Sequence, residues 1–341
     1  LKYNNRRYIG NKNKLTSWIF ETIEKEMNIN TEFIDIFAGT GAVGFYFAEK
    51  GYNTILNDNL FHNYVIYRAF NSFDNIDQEK LSNIIDKYNN KKYEYLFDNY
   101  ISEIYGNRYF SKTEAFKIGE IREDIEKKFK SKIINEDEKY YLITSLMFGA
   151  DKIANTVGHY ESFLNNQHFD KNLELKTLFV QKYSSKITPF NMDANLLIKN
   201  LNQENSILYL DPPYNARQYI NFYHVLENIA IWNKPTEFQG KSMKFLRDHL
   251  KSEYSRSKAK HFLKELINSS KSKVILMSYN NTYNASSTAS NNKITEQDII
   301  EIFEEYGKVE IYEKPYKSFN SGKTNFIDHK EILYVCKRSN R

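Results

Sequence analysis

"DIFAGTGAVG", residues 35–44, leaves an apolar run at 32–37 and enters a helical pattern that lasts to Gly51. Gly39, Gly41 and Gly44 have the G-x-G-x-x-G spacing at a strand-to-helix turn, where a chain without Cβ atoms can pass close to a ligand. A second short strand pattern, "NTILN" at 53–57, ends at Asp58, 19 residues after Gly39. Strand, glycine turn, helix, strand and closing acid are the start of a βαβ unit, and so of a parallel sheet. A plain tight turn is one reading of the loop. A dinucleotide held by its pyrophosphate and ribose is another.

Downstream the alternation continues. Runs rich in β-branched and aromatic residues occur as "ITPF" at 187–190, "SILYL" at 206–210, "KVILMS" at 273–278, "VEIYE" at 309–313 and "EILYVC" at 331–336. With the first two they make seven strands. Helical patterns lie between them, and "TEQDIIEIFEEYG" has a clear start at Thr295 and stop at Gly307. The expected fold is α/β, a doubly wound, seven-stranded and mostly parallel sheet. Residues 60–185 break the rhythm. They hold long helical patterns such as "TEAFKIGEIREDIEKKF" and "DEKYYLITSLMFGADKIAN" and few strand signals. They read as a mainly helical insertion between 1–59 and 186–341. "YNNTYNASSTASNN" at 279–292 is small and polar, and reads as a mobile loop.

Composition bounds the function. A chain of 341 residues suffices for one large domain or two. The net charge of +5 and pI of about 8.8 are compatible with a polyanionic partner without requiring one. The single cysteine, Cys336, lies in a strand-like run, so no disulfide closes within the chain. A buried thiol in a reducing, cytoplasmic setting is expected. No apolar run approaches the ~18 residues of a membrane span, and the first residues carry charge without the apolar core of a signal peptide. The seven histidines are scattered, with no H-x-x-x-H pair and no cysteine set beside them, so nothing supports metal catalysis.

"LYLDPPYNARQY" at 208–219 carries the chemistry. Asp211 stands where a buried strand ends. Pro212 and Pro213 fix two φ angles and remove two donors, leaving a stiff turn with one carboxylate, free carbonyls and the Tyr214 ring. Such a turn suits a planar substrate that donates hydrogen bonds; a strand-ending Asp in an ordinary turn is the alternative. Asp35 and Asp211 both close strands, where open α/β sheets bind their ligands, so both should face one cleft. A carboxylate before the glycines suits an ammonium and repels a pyrophosphate. That favours S-adenosyl-L-methionine over a dinucleotide.

These motifs together resemble the DNA N6-adenine methyltransferases with the alpha order of motifs, over about residues 6–338. "RRYIGNKNKL" at 6–15 is similar to their N-terminal cofactor motif, "FIDIFAGTGAVG" to their methionine-binding loop and "DPPYNARQY" to their catalytic motif. "LNDN" carries the ribose acid, Asp58, and "FNMDA" the acid that contacts the cofactor adenine, Asp193. "RYFSKTEAFKIGEIREDIE" and "NTVGHYESFL" resemble segments of members from restriction–modification systems. "ASSTASNN" at 285–292 has no counterpart among these motifs.

The resemblance implies double-stranded DNA as substrate, S-adenosyl-L-methionine as cofactor, no metal, and a restriction endonuclease as functional partner. It implies a catalytic domain of 1–59 and 186–341, with 60–185 as the target recognition domain. Tyr8, Gly10 and Lys12 would cover the cofactor; Asp35, Phe37, Ala38, Gly39, Thr40, Gly41, Asp58 and Asp193 would hold it. Asp211 and the Pro212 carbonyl would accept the adenine N6 hydrogens, Pro213 would stiffen the turn, and Tyr214 would stack the flipped base. Asn155, Thr156 and His159 would read base edges, while Arg217 and Tyr219 would contact DNA beside the flipped base. Rival readings are a cytosine-N4 or RNA methyltransferase, a dinucleotide oxidoreductase, and a non-catalytic nucleic-acid-binding module on a dead methyltransferase fold.

Overall fold

The computed structural model of the chain describes residues 10, 12–94, 97–166, 169–213, 215–280, 292–315 and 330–339. Tyr8, Tyr214 and residues 281–291 of the polar loop lie outside the described residues. The chain divides into two compact units.

One unit comprises Ile9–Asn59, Tyr183–Tyr219 and His249–Arg341. Its strands are β1 (Glu32–Asp35), β2 (Thr54–Asn57), β3 (Ile187–Phe190), β4 (Ser206–Leu210), β7 (Val274–Asn280), β8 (Gly307–Pro315) and β9 (Lys330–Arg338), so all seven runs read from the sequence are strands. They form one sheet in the order β3-β2-β1-β4-β7-β9-β8. The first five in that order are parallel, and β9 runs antiparallel to both its neighbours. The order reverses between β1 and β4, which is the switch point where a doubly wound sheet opens a crevice.

The period-two alternation of each run decides which face it packs. Phe33, Ile207, Tyr209, Val274, Leu276, Leu333 and Val335 pack on α1 (Thr16–Ile23) and α2 (Ala42–Glu49) through Ile19, Phe20, Val43 and Phe47. The Phe33 and Phe47 rings stack with centroids 3.6 Å apart. The alternate residues Ile34, Leu208, Ile275, Tyr334 and Cys336 pack on α8 (Ala194–Asn200), α10 (Ala259–Ser269) and α11 (Glu296–Glu304). Burial pushes the Cys336 thiol up to about 12, so it stays protonated and donates to Phe303 O. α11 starts as its sequence predicts: Thr295 and Asp298 form a reciprocal capping box. β7 runs on to Asn280, so Tyr279 and Asn280 are strand where the sequence reads as loop. Tyr279 is buried there, and its hydroxyl donates to Ile294 O.

The described part of the other unit is Leu60–Lys182 with Ile220–Asp248. It holds α3 (Phe61–Phe70), α4 (Gln78–Asn90), α5 (Tyr100–Tyr105), α6 (Lys112–Lys130), α7 (Glu136–Ile153) and most of α9 (Tyr219–Ile231), with the hairpin of β5 (Phe238–Gln239) and β6 (Lys244–Phe245). The helical character of 60–185 is as the sequence predicts. The second segment, 220–248, joins it although the strand–helix alternation gives no sign of this. The reason lies in helix ends. The first backbone N–H groups of α3, on Phe61 and His62, donate to the Glu227 carboxylate of α9. The orphan carbonyls of Ile229 and Ala230 at the end of α9 accept from the buried Arg122 of α6. Among the described residues no helix is long and apolar enough to cross a membrane.

Candidate active site

The glycine loop is built as a close-approach turn. Gly39 and Gly41 have φ of 52° and 77°, a region in which a Cβ is strained. Gly44 serves a different need. A Cβ placed on it would lie 2.0 Å from Leu56 Cδ2, so α2 can pack this closely against β2 only with glycine there. Beside the loop, Asp58 accepts the Gly39 N–H at 3.0 Å, which ties the end of β2 to the turn after β1. Asn57 does more than its place in the sequence signals. Its amide donates to the carbonyls of Ile36 and Met192 and accepts from Met192 N–H, so one buried side chain joins the ends of β1, β2 and β3.

Asp35 ends β1 and pairs in register with Tyr209 of β4, two residues before Asp211. The two acids therefore stand at the switch point, as their strand-end positions predict. Asp35 is 1% exposed. One carboxylate oxygen accepts the Gly44 N–H at 3.1 Å; the other, Oδ1, is buried with no hydrogen-bond partner among the described residues. Burial lifts its pKa well above the ordinary carboxylate range, and the neighbouring Asp211 and Asp58 charges add to this against the Gly44 N–H. An orphaned, desolvated carboxylate oxygen is what a cationic ligand group would satisfy.

Asp211 does not stand alone. Lys12, in the turn before α1, places its Nζ 3.3 Å from Asp211 Oδ1 and also donates to Glu331. All three side chains are largely buried. Burial works against the Lys12 charge, but Asp211 and Glu331 overcome it and hold the ammonium above its usual range. Burial, with Asp211, lifts the Glu331 carboxyl, while Lys12 opposes that shift. Tyr209 lies beneath, its hydroxyl 2.8 Å from Ser278 Oγ.

The other expected site residues have the following surroundings. Pro212 is buried and Pro213 half-buried. Gly10 and Tyr219 come together: a Cβ on Gly10 would meet the Tyr219 hydroxyl at 2.9 Å. Ala38 and Thr40 are buried in the glycine loop, and Phe37 is half-buried with its ring edge-on to Tyr254 at 4.9 Å. Asp193 is exposed and caps α8 by accepting the Leu196 N–H. Arg217 is exposed. Gln218 is buried and exchanges two hydrogen bonds with the Ser252 backbone, fixing the chain beyond the Asp211 turn.

In the helical unit, Asn155 is buried and its amide donates to the carbonyls of Arg108 and Leu164. Both donors are thus spent on backbone carbonyls, and in this conformation Asn155 ties its loop to the turn after α5. The Thr156 hydroxyl accepts from Gly158 N–H, and the His159 ring packs on Phe222 at 4.9 Å.

Sequence reasoning missed Asn57, Gln218 and Glu331. The first two look like ordinary strand-end and turn residues. Glu331 is the second residue of β9, and only the antiparallel direction of that strand carries it to the carboxyl edge of the sheet.

The chain is similar to known proteins over most of its length. Residues 8–283 match the family model for D12 class N6 adenine-specific DNA methyltransferases. The type II methyltransferase M.NlaIII of Neisseria lactamica is 33% identical, over 97% of this chain and 99% of the relative. The modification methylase StsI of Streptococcus sanguinis is 33% identical over 96% of this chain. The type II methyltransferase M.FokI of Planomicrobium okeanokoites is 32% identical over 97% of it. The chain spans 50% and 52% of the length of these two. The glycine loop, the paired strand-end acids at the switch point and this family match agree, and the chain belongs to the D12 class of N6 adenine-specific DNA methyltransferases.

Proposed function

We propose that the chain transfers a methyl group from S-adenosyl-L-methionine to the N6 of an adenine flipped out of double-stranded DNA, without a metal. The observation that carries this reading is the pair Asp35 and Asp211 at the switch point, one with an orphaned oxygen and one on a proline-stiffened turn. Asp35 Oδ1 is the acceptor for the cofactor's ammonium, and Asp58 the acceptor for its ribose hydroxyls. Bound there, the cofactor supplies an electrophilic sulfonium methyl.

The adenine amine is a weak nucleophile because its lone pair is delocalised into the ring. Asp211 and the Pro212 carbonyl accept its two hydrogens, hold the nitrogen pyramidal and aim its lone pair. Tyr214 supplies the ring on which the flipped base stacks. Positive charge appears on the nitrogen as it reacts. Asp211 and Glu331, which share the Lys12 ammonium, favour that charge.

The helical unit, Leu60–Lys182 with Ile220–Asp248, is proposed to choose the DNA sequence, since the transfer chemistry uses none of its residues. By analogy with its type II relatives, the enzyme protects cytoplasmic DNA against a restriction endonuclease of matching specificity. Incubation with methyl-labelled cofactor and DNA, followed by mapping of the modified base, tests the reading. Label at adenine N6 is expected, and its loss in a folded Asp211→Ala protein that still binds cofactor. Label on cytosine, label on RNA alone, or wild-type turnover by Asp211→Ala would overturn it.

A further inference from the structure

We propose that Glu331 is a positioning residue for methyl transfer, acting through the Lys12 ammonium to set where the Asp211 carboxylate stands. This rests on the reading of Asp211 as the acceptor of the amine's hydrogens. Six strands of the sheet run one way and β9 the other, so β9 begins where β1, β4 and β7 end. Its second residue, Glu331, pairs in register with Asn280 at the end of β7 and is 3% exposed. There it accepts from Lys12, 319 positions away in the chain, while the same Nζ stands 3.3 Å from Asp211.

A lysine has a long flexible stem and a point charge, so one carboxylate partner fixes its head poorly. Here two carboxylates, Asp211 and Glu331, share the one ammonium, which restrains it more than either alone. A reacting carboxylate must hold its place to a fraction of an ångström, because small misplacements of reacting groups cost large factors in rate. Glu331 touches Lys12 and not the reacting atoms, so it acts by placing Asp211. Among the described residues, Asp35 at the end of β1 and Tyr209 on β4 are further ionisable groups that face this cluster.

The test is a double-mutant cycle on the full chain, read by single-turnover methyl transfer to DNA at saturating cofactor and DNA, with cofactor affinity from calorimetry. Glu331→Gln should lower the rate by roughly tenfold or more with cofactor affinity little changed, and Glu331→Asp should restore part of it. In a Lys12→Met background the same Glu331→Gln change should alter the rate by no more than about twofold. A wild-type rate for Glu331→Gln, or an equal loss in both backgrounds, would overturn the proposal. If Glu331→Gln does not fold, the charge-free pair Lys12→Met with Glu331→Met replaces it. A rate matching Lys12→Met alone supports the proposal, and a further tenfold fall overturns it. Asp211→Ala is run in parallel. Activity there removes the reading of Asp211 itself, whereas an inactive Asp211→Ala beside a fully active Glu331→Gln removes only the role of Glu331.

Discussion

Asp35 sets stability against function within one side chain. A buried carboxylate with one oxygen unpartnered among the described residues destabilises the free protein, and each unit by which its native pKa is raised costs about 1.4 kcal/mol once it ionises. The sign follows from the direction. The native value is raised, so the penalty is absent below the unfolded value near 3.9 and grows to its full size as pH climbs through the native value. Asp35→Asn should therefore bind cofactor far more weakly, yet melt at a higher temperature than wild type at neutral pH. Its advantage should shrink as the pH falls into the acid range. Melting curves across pH check this; a variant less stable than wild type at neutral pH would show that Oδ1 is satisfied in the free protein. Asp58 has the opposite character, since it already accepts the Gly39 N–H. Asp58→Ala should weaken cofactor binding by about 1.5–3 kcal/mol, the scale of a hydrogen bond to a charged group. Calorimetry on the folded variant measures it. These acids were legible in the sequence because a charge closing an apolar run has few structural reasons to be there. Glu331 was not, because strand direction is a property of the sheet and no local pattern encodes it.

At the scale of elements, the strand and helix pattern was readable because each buried face repeats with the period of its element. The runs "SILYL" and "KVILMS" alternate between the α1–α2 face and the α8–α10–α11 face, residue by residue. The packing of α2 on β2 tests how tightly that pattern is specified. Gly44→Ala adds a Cβ 2.0 Å from a Leu56 methyl that has no exposed surface to move into. Overpacking of this kind costs roughly 1–3 kcal/mol. Gly44→Ala should lower the urea midpoint accordingly, and Leu56→Ala added to it should cost less than Leu56→Ala alone in the wild type. Equal costs in both backgrounds would show that α2 shifts instead of clashing. The end of α11 offers a gentler case. Thr295→Ala removes the cap on Asp298 N–H and should cost about 1 kcal/mol without affecting transfer, as seen by melting and activity together.

At the scale of the molecule, the helical unit is discontinuous in sequence, and this decides how it can be exchanged. Local patterns place 60–185 correctly as helical, but they cannot say that α9 belongs with it, because most of the partners of α9 named here lie more than a hundred residues away. Those partners are numerous and buried. Glu227 accepts from Phe61 and His62 backbone N–H groups, and His62 Nδ1 lies 2.7 Å from it. Asn228 bonds to the hydroxyls of Tyr100 and Tyr105. Arg122 donates to two carbonyls of α9, and Tyr160 N–H donates to a third, on Phe222. The hairpin adds Ser242, which donates to Glu161 O and whose carbonyl accepts from Tyr109. Replacing 60–182 alone with the matching interval of a relative of different specificity strands these groups. Each buried polar group left without a partner costs about 1–3 kcal/mol, so the sum rivals the whole stability of a domain. That chimera should be insoluble or melt far below the parent. Exchange of 60–182 together with 220–248 carries both sides of every bond named here. It should fold, and if this unit reads DNA it should methylate the donor's sequence. Mapping of the methylated sites on a mixed DNA substrate gives the answer. A folded double exchange that still methylates the parent's own sequence would place recognition outside the helical unit. A single exchange as stable as the parent would show that 220–248 is only a neighbour of that unit.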